Sequence, residues 1–169
     1  MRRRLLCTLS ALAGAAIALA AAPAAAETIT VQLRGFEEVP VNTSAASGSL
    51  RLFINDRAGT IDYELTYENL QGNVTQAHIH VAQAGVNGGI VLWLCGTATN
   101  PGPAGTPACP SPGGTITGVL TASNVVAVPT QLVAAGELDE VIGAIRAGKA
   151  YGNVHSSVAG GGEIRGQLH

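Results

Sequence analysis

From Thr60 to Glu68 polar and apolar side chains alternate without a break, with Ile61, Tyr63, Leu65 and Tyr67 forming the apolar set. A period of two is that of a strand with one buried and one wet face, so these four residues are expected to face a core. Upstream, Ser49 to Ile54 reads as a partner strand, and Asn55-Asp56-Arg57-Ala58-Gly59 supplies the turn residues of a hairpin between them. The same reading predicts strands at Thr28 to Leu33, Thr75 to Ala82, Gly89 to Leu94, Gly114 to Thr121, Ala150 to His155 and Glu163 to Leu168. One stretch changes period. Leu138, Val141, Ile142 and Ile145 fall at i, i+3, i+4 and i+7, the apolar stripe of an amphipathic helix. Glu137, Asp139 and Glu140 crowd its start and Arg146 and Lys149 its end, as the helix dipole favours, with Gly148 as terminator. Short, glycine-punctuated strands with one helix describe a mostly β fold, a Greek-key-like antiparallel β-sandwich with one packed α-helix.

The N-terminus departs from this pattern. Arg2, Arg3 and Arg4 precede an apolar, alanine-rich run from Leu5 to Ala22, and Pro23-Ala24-Ala25-Ala26 supplies small residues of the kind signal peptidase cuts. Residues 1–26 therefore read as a signal peptide cleaved between Ala26 and Glu27, with residues 27–169 as a single secreted or periplasmic domain. Cys7 opens the apolar run instead of following it, which argues against a lipoprotein. Removal of the three arginines takes the formal charge from -2 to -5. That balance argues against nucleic acid and anionic membranes as partners and leaves an extracytoplasmic protein or a small ligand. Cys95 and Cys109 remain, an even pair in an oxidising compartment, and are read as a disulfide. The proline- and glycine-rich stretch between them is then an excursion stapled at its base. A redox-active pair would need the C-x-x-C spacing these cysteines lack.

Chemistry concentrates on the histidines. In Gln76-Ala77-His78-Ile79-His80-Val81, two imidazoles project from one face of a strand and can reach a single zinc, copper, iron or nickel ion. A third ligand is sought in His155, and a weaker fourth in His169. The competing reading has His78 and His80 hydrogen-bonded to loops or to carboxylates such as Glu163. Glu37 and Glu38 are adjacent, point to opposite faces and make a poor acid/base pair, so both are expected to be solvated. Arg165 alternates with Glu163 and Gln167 on the polar face of the last strand, where its plain role is a surface ion pair. Trp93, beside the disulfide, reads as core. The sequence carries no G-x-S-x-G elbow, phosphate loop, dinucleotide fingerprint or H-E-x-x-H, so no catalytic residue is assigned.

Four blocks in order, Leu33-Arg34-Gly35-Phe36-Glu37-Glu38-Val39-Pro40, Ala77-His78-Ile79-His80, Gly148-Lys149-Ala150-Tyr151-Gly152-Asn153-Val154-His155 and Gly162-Glu163-Ile164-Arg165-Gly166-Gln167-Leu168, resemble the CHRD domain. That domain is repeated in chordin and occurs singly in secreted microbial proteins. The resemblance spans essentially all of the chain after residue 26 and implies an extracytoplasmic binding or structural module of unassigned ligand. Gly152, the segment Ser156 to Gly161 and the Cys95–Cys109 excursion depart from the family's usual pattern. A second resemblance concerns chemistry. His-x-His on a strand, a later isolated histidine and a late arginine within a β-sandwich are similar to the copper site of copper/zinc superoxide dismutases. It implies His78, His80 and His155 as copper ligands and Arg165, with Glu163, at an anion or ligand contact. The zinc loop of those enzymes is missing, so copper alone is carried over.

Overall fold

The computed structural model describes residues 26–169. The leader read from residues 1–26 falls almost wholly outside these, and Glu27 opens the first strand. In chain order the elements are β1 (Glu27–Arg34), β2 (Ser47–Asn55), β3 (Thr60–Glu68), β4 (Val74–Val81), β5 (Gly89–Cys95), β6 (Gly114–Leu120), α1 (Leu138–Arg146), β7 (Ala150–Ser156) and β8 (Ile164–Leu168). Each lies where the periodicity predicts, to within about two residues, the usual uncertainty of an element's end.

All eight strands belong to one sheet in the order β5-β4-β7-β8-β1-β2-β3-β6, and every neighbouring pair is antiparallel. The sheet curls until its two halves face each other. Tyr63 on β3 donates from its hydroxyl to the Leu94 carbonyl on β5 at 2.6 Å, although five strands separate them in the sheet order. At Gly152 on β7 an added Cβ would stand 2.7 Å from Leu50 Cδ2 of β2, so only a glycine lets the facing halves close this far. The antiparallel, mostly β fold with one packed helix is the one expected. Its facing layers are continuous, an arrangement between sandwich and barrel.

The core fills the inside of the curl. Ile61, Tyr63, Leu65 and Tyr67 are all buried, as the alternation on β3 demands. Helix α1 buries Leu138, Val141, Ile142 and Ile145 against the same core and ends at Gly148, whose N–H bonds to the Ile145 carbonyl in a left-handed turn. Cys95 and Cys109 are joined, and the excursion between them is tied at its base by Cys109 N–H to Gly96 O at 2.8 Å and Gly96 N–H to Pro107 O at 2.9 Å. Among the described residues no helix is long and apolar enough to cross a membrane.

Candidate functional site

Strand register places a block of polar side chains on the outer face of one half of the sheet. His78 pairs with Trp93 on β5 and with Asn153 on β7, and Asn153 pairs in turn with Arg165 on β8. The row beside it runs His80, Tyr151 and Gln167. Directly opposed residues of antiparallel strands point the same way, so these side chains share one face while Ala77, Ile79 and Val154 fill the core on the other. His155 lies two residues beyond Asn153 on that same face. Loops roof it. The residues of β7 are buried along its whole length, including Tyr151, Asn153 and His155.

His78, His80 and His155 therefore meet in a nearly dry environment, at 0 %, 7 % and 6 % exposure. One ring nitrogen from each lies within 4.8 Å of the others. His80 Nδ1 stands 3.0 Å from the Gly88 carbonyl and His155 Nδ1 stands 3.0 Å from the Gly160 carbonyl. A carbonyl only accepts, so both Nδ1 atoms carry the hydrogen and both Nε2 atoms present a lone pair. His155 Nε2 is 3.2 Å from His78 Nδ1, and among the described residues Nε2 of His78 and of His80 has no hydrogen-bond partner. Burial, with the neighbouring His155 and His80, pushes the His78 pKa down to about 2. Burial, opposed by the Gly88 carbonyl and reinforced by His155 and Arg165, pushes His80 down to about 4. His155 is lowered too, by burial against the pull of the Gly160 carbonyl. At neutral pH the cluster is three neutral imidazoles.

That donor set fits a transition-metal ion. At a metal–nitrogen distance of about 2.0 Å, two ligands of one tetrahedral ion stand about 3.3 Å apart. His78 Nδ1 and His155 Nε2 already have that spacing. His80 has to close in by on the order of 1 Å to join them. His169, expected as a weaker fourth ligand, is exposed, sits with Nδ1 3.0 Å from the Gln167 carbonyl and is not one of the group.

Four sequence expectations change at this face. Arg165 is 2 % exposed and makes no surface ion pair. Its guanidinium lies 3.3 Å from the Tyr151 ring centroid and donates to Asn87 Oδ1 at 3.0 Å and the Val86 carbonyl at 2.7 Å. Tyr151 stacks in turn on His80, with centroids 4.7 Å apart and planes 1° from parallel, and its hydroxyl accepts the Gly88 N–H. Glu163 is buried but bonds to none of the histidines. Its Oε1 accepts from Ser44 Oγ and from Gln71 N–H, both at 2.7 Å, and although burial opposes ionisation, such bonds hold its pKa below the usual carboxylate value. Glu38 is the third correction: it is 6 % exposed, not solvated, with Asn153 Nδ2 donating to its Oε1 at 2.6 Å. Burial raises its pKa to about 7, outweighing the Arg165 charge and its hydrogen bonds from Asn153 and Val39. Trp93 is only half-buried and stands edge-on to His78, with centroids 4.3 Å apart.

Tyr151 and Asn153 were not singled out as site residues in the sequence, and Glu38 was set aside there as solvated. The first two carried a signal, since Tyr151, Asn153 and His155 alternate along one predicted strand and must share a face. Glu38 follows a short 3-10 turn at Gly35–Glu37, where no periodicity predicts burial.

No curated protein and no solved structure matches the chain. The family model described as CHRD domain matches residues 29–168, from the first strand to the last and across every residue of the roofed face, and the chain belongs to that family.

Proposed function

We propose that the protein is an exported binding module whose ligand is a transition-metal ion held by His78, His80 and His155, with copper the metal the donor set suits best. One observation carries the reading: three buried, neutral imidazoles converge, two of them, His80 and His155, fixed by backbone carbonyls so that their Nε2 lone pairs face the cluster. Backbone clamping of the second nitrogen is how proteins set the tautomer and aim of a metal-binding histidine. Packing alone would make this an expensive arrangement, because the two ring nitrogens left unpaired in a dry site, His78 Nε2 and His80 Nε2, forfeit their hydration. Copper stands at the top of the stability order for nitrogen ligands among the divalent first-row ions. Export fits the cleavable leader read from the sequence and the disulfide, which persists in oxidising compartments.

The test is titration of the purified protein with copper and with zinc, beside His78→Ala, His80→Ala and His155→Ala. The expected result is one ion per chain, bound by the parent protein and lost or weakened at least about 100-fold in every variant. Retention of full affinity in any one variant removes that histidine from the site, and no binding by the parent protein overturns the reading.

A further inference from the structure

Resting on the metal-binding reading, we propose further that this cluster selects a monovalent, soft d10 ion, Cu+, over divalent ions such as Zn2+. The ligands themselves are all neutral, so a bound ion keeps its whole charge. A cation, Arg165, stands behind Tyr151 in the column that ends on His80 and bears on that imidazole. Both carboxylates of the roofed face are turned to other work. Glu163 is held by Ser44 and the Gln71 N–H, and Glu38 by Asn153 beside Arg165. The cost of taking an ion out of water grows with the square of its charge, so a dication here suffers far more than a monocation.

Coordination number points the same way. Zinc on three protein ligands completes a tetrahedron with water or hydroxide, which needs room and hydrogen-bond partners. Here the side next to His78 is occupied by the Trp93 ring and the histidines are almost fully excluded from solvent. A d10 monocation is content with three nitrogens. Intrinsic preference of imidazole for Cu2+ and Zn2+ opposes this selection. With both carboxylates of the face held by other partners, the charge effect works against that preference.

The experiment measures Cu+ affinity anaerobically against bathocuproine disulfonate, with ascorbate and no thiol so that the disulfide stays closed, and Zn2+ affinity against a chromogenic chelator. Ag+ serves as a redox-inert stand-in for Cu+. The expected result is Cu+ and Ag+ bound one per chain, with Cu+ at least about 100-fold tighter than Zn2+. Gln76→Glu supplies the control on mechanism. Gln76 opposes His155 on the same face and is only partly buried, so a carboxylate there is tolerated and brings the missing negative charge. This variant should tighten Zn2+ more than Cu+ and narrow the ratio by about tenfold. Zn2+ bound as tightly as Cu+ by the parent protein overturns the selection while the metal reading stands. Failure to bind Cu+, Ag+ and Zn2+ alike overturns both.

Discussion

The two halves of the sheet start from the same kind of sequence and end differently. In β1, β2 and β3 the alternation written in the residues is the alternation seen in space. On β3, Asp62, Glu64 and Glu68 are exposed while Ile61, Leu65 and Tyr67 are buried. In β4, β7 and β8 the outer face is covered as well. The segment around Asn42 donates to the Gly162 and Glu163 carbonyls, and the segment around Asn87 donates to the Val39 carbonyl and accepts from Arg165. Water is then no longer the partner of last resort, so polar side chains on the covered face must pair with one another or do without. That is why the unpartnered imidazole nitrogens and the raised carboxyl of Glu38 lie in this half. Covering, more than composition, turns a polar face into a site.

The contrast breaks most easily at the core. Leu65→Ala, on the inner face of β3, should cost about 2–5 kcal/mol, and Glu64→Ala, its outward neighbour, less than about 0.5 kcal/mol, both read by urea unfolding. A cost for Glu64→Ala near that for Leu65→Ala would mean that the open half is not open. Removing the staple at the end of β5, by Cys95→Ser with Cys109→Ser, should cost about 3 kcal/mol in the same assay. On the covered face a polar residue should behave like core. Asn153→Ala leaves the buried Glu38 carboxyl without its donor and should cost about 1–3 kcal/mol, whereas Thr66→Ala on the open face should be nearly silent.

The last effect is on pH dependence, and its sign differs within the covered half. Glu38 has a folded pKa of about 7 against an ordinary 4.5, so between these values the folded chain holds a proton the unfolded chain has released. Its contribution favours the fold below about pH 4.5 and is lost as pH rises to about 7. His80, lowered from 6.5 to about 4, runs the other way: its contribution is present above 6.5 and is lost as pH falls to about 4. In metal-free protein, His80→Gln should flatten the gain of stability between pH 4 and 6.5, and Glu38→Gln should steepen it. If neither variant changes the slope of unfolding free energy against pH, the outer face is wetter than its burial implies.

The open half could be read almost entirely from the sequence, because a strand with one wet face states its orientation in every second residue. The covered half could be read only as far as its strands. His78 and His80 announced a shared face, and a third histidine was found by type and family resemblance. What the sequence hid was the roof. Arg165 and Glu163 look like surface residues when judged by their own strand, and Glu38 looks solvated beside Glu37. Their burial is decided by loops distant in the chain, some 78 residues away in the case of Arg165 and Asn87, and local periodicity holds no record of such contacts.

Trp93 is the chain's one tryptophan, and its ring touches His78 on one side while Gly102 of the stapled excursion leaves just enough room on another, an added Cβ there falling 2.6 Å from the ring. The indole emission of the whole protein thus comes from a single ring set between the histidine cluster and the disulfide loop. Occupancy of one and opening of the other can be followed in the native chain by light alone, with no label attached.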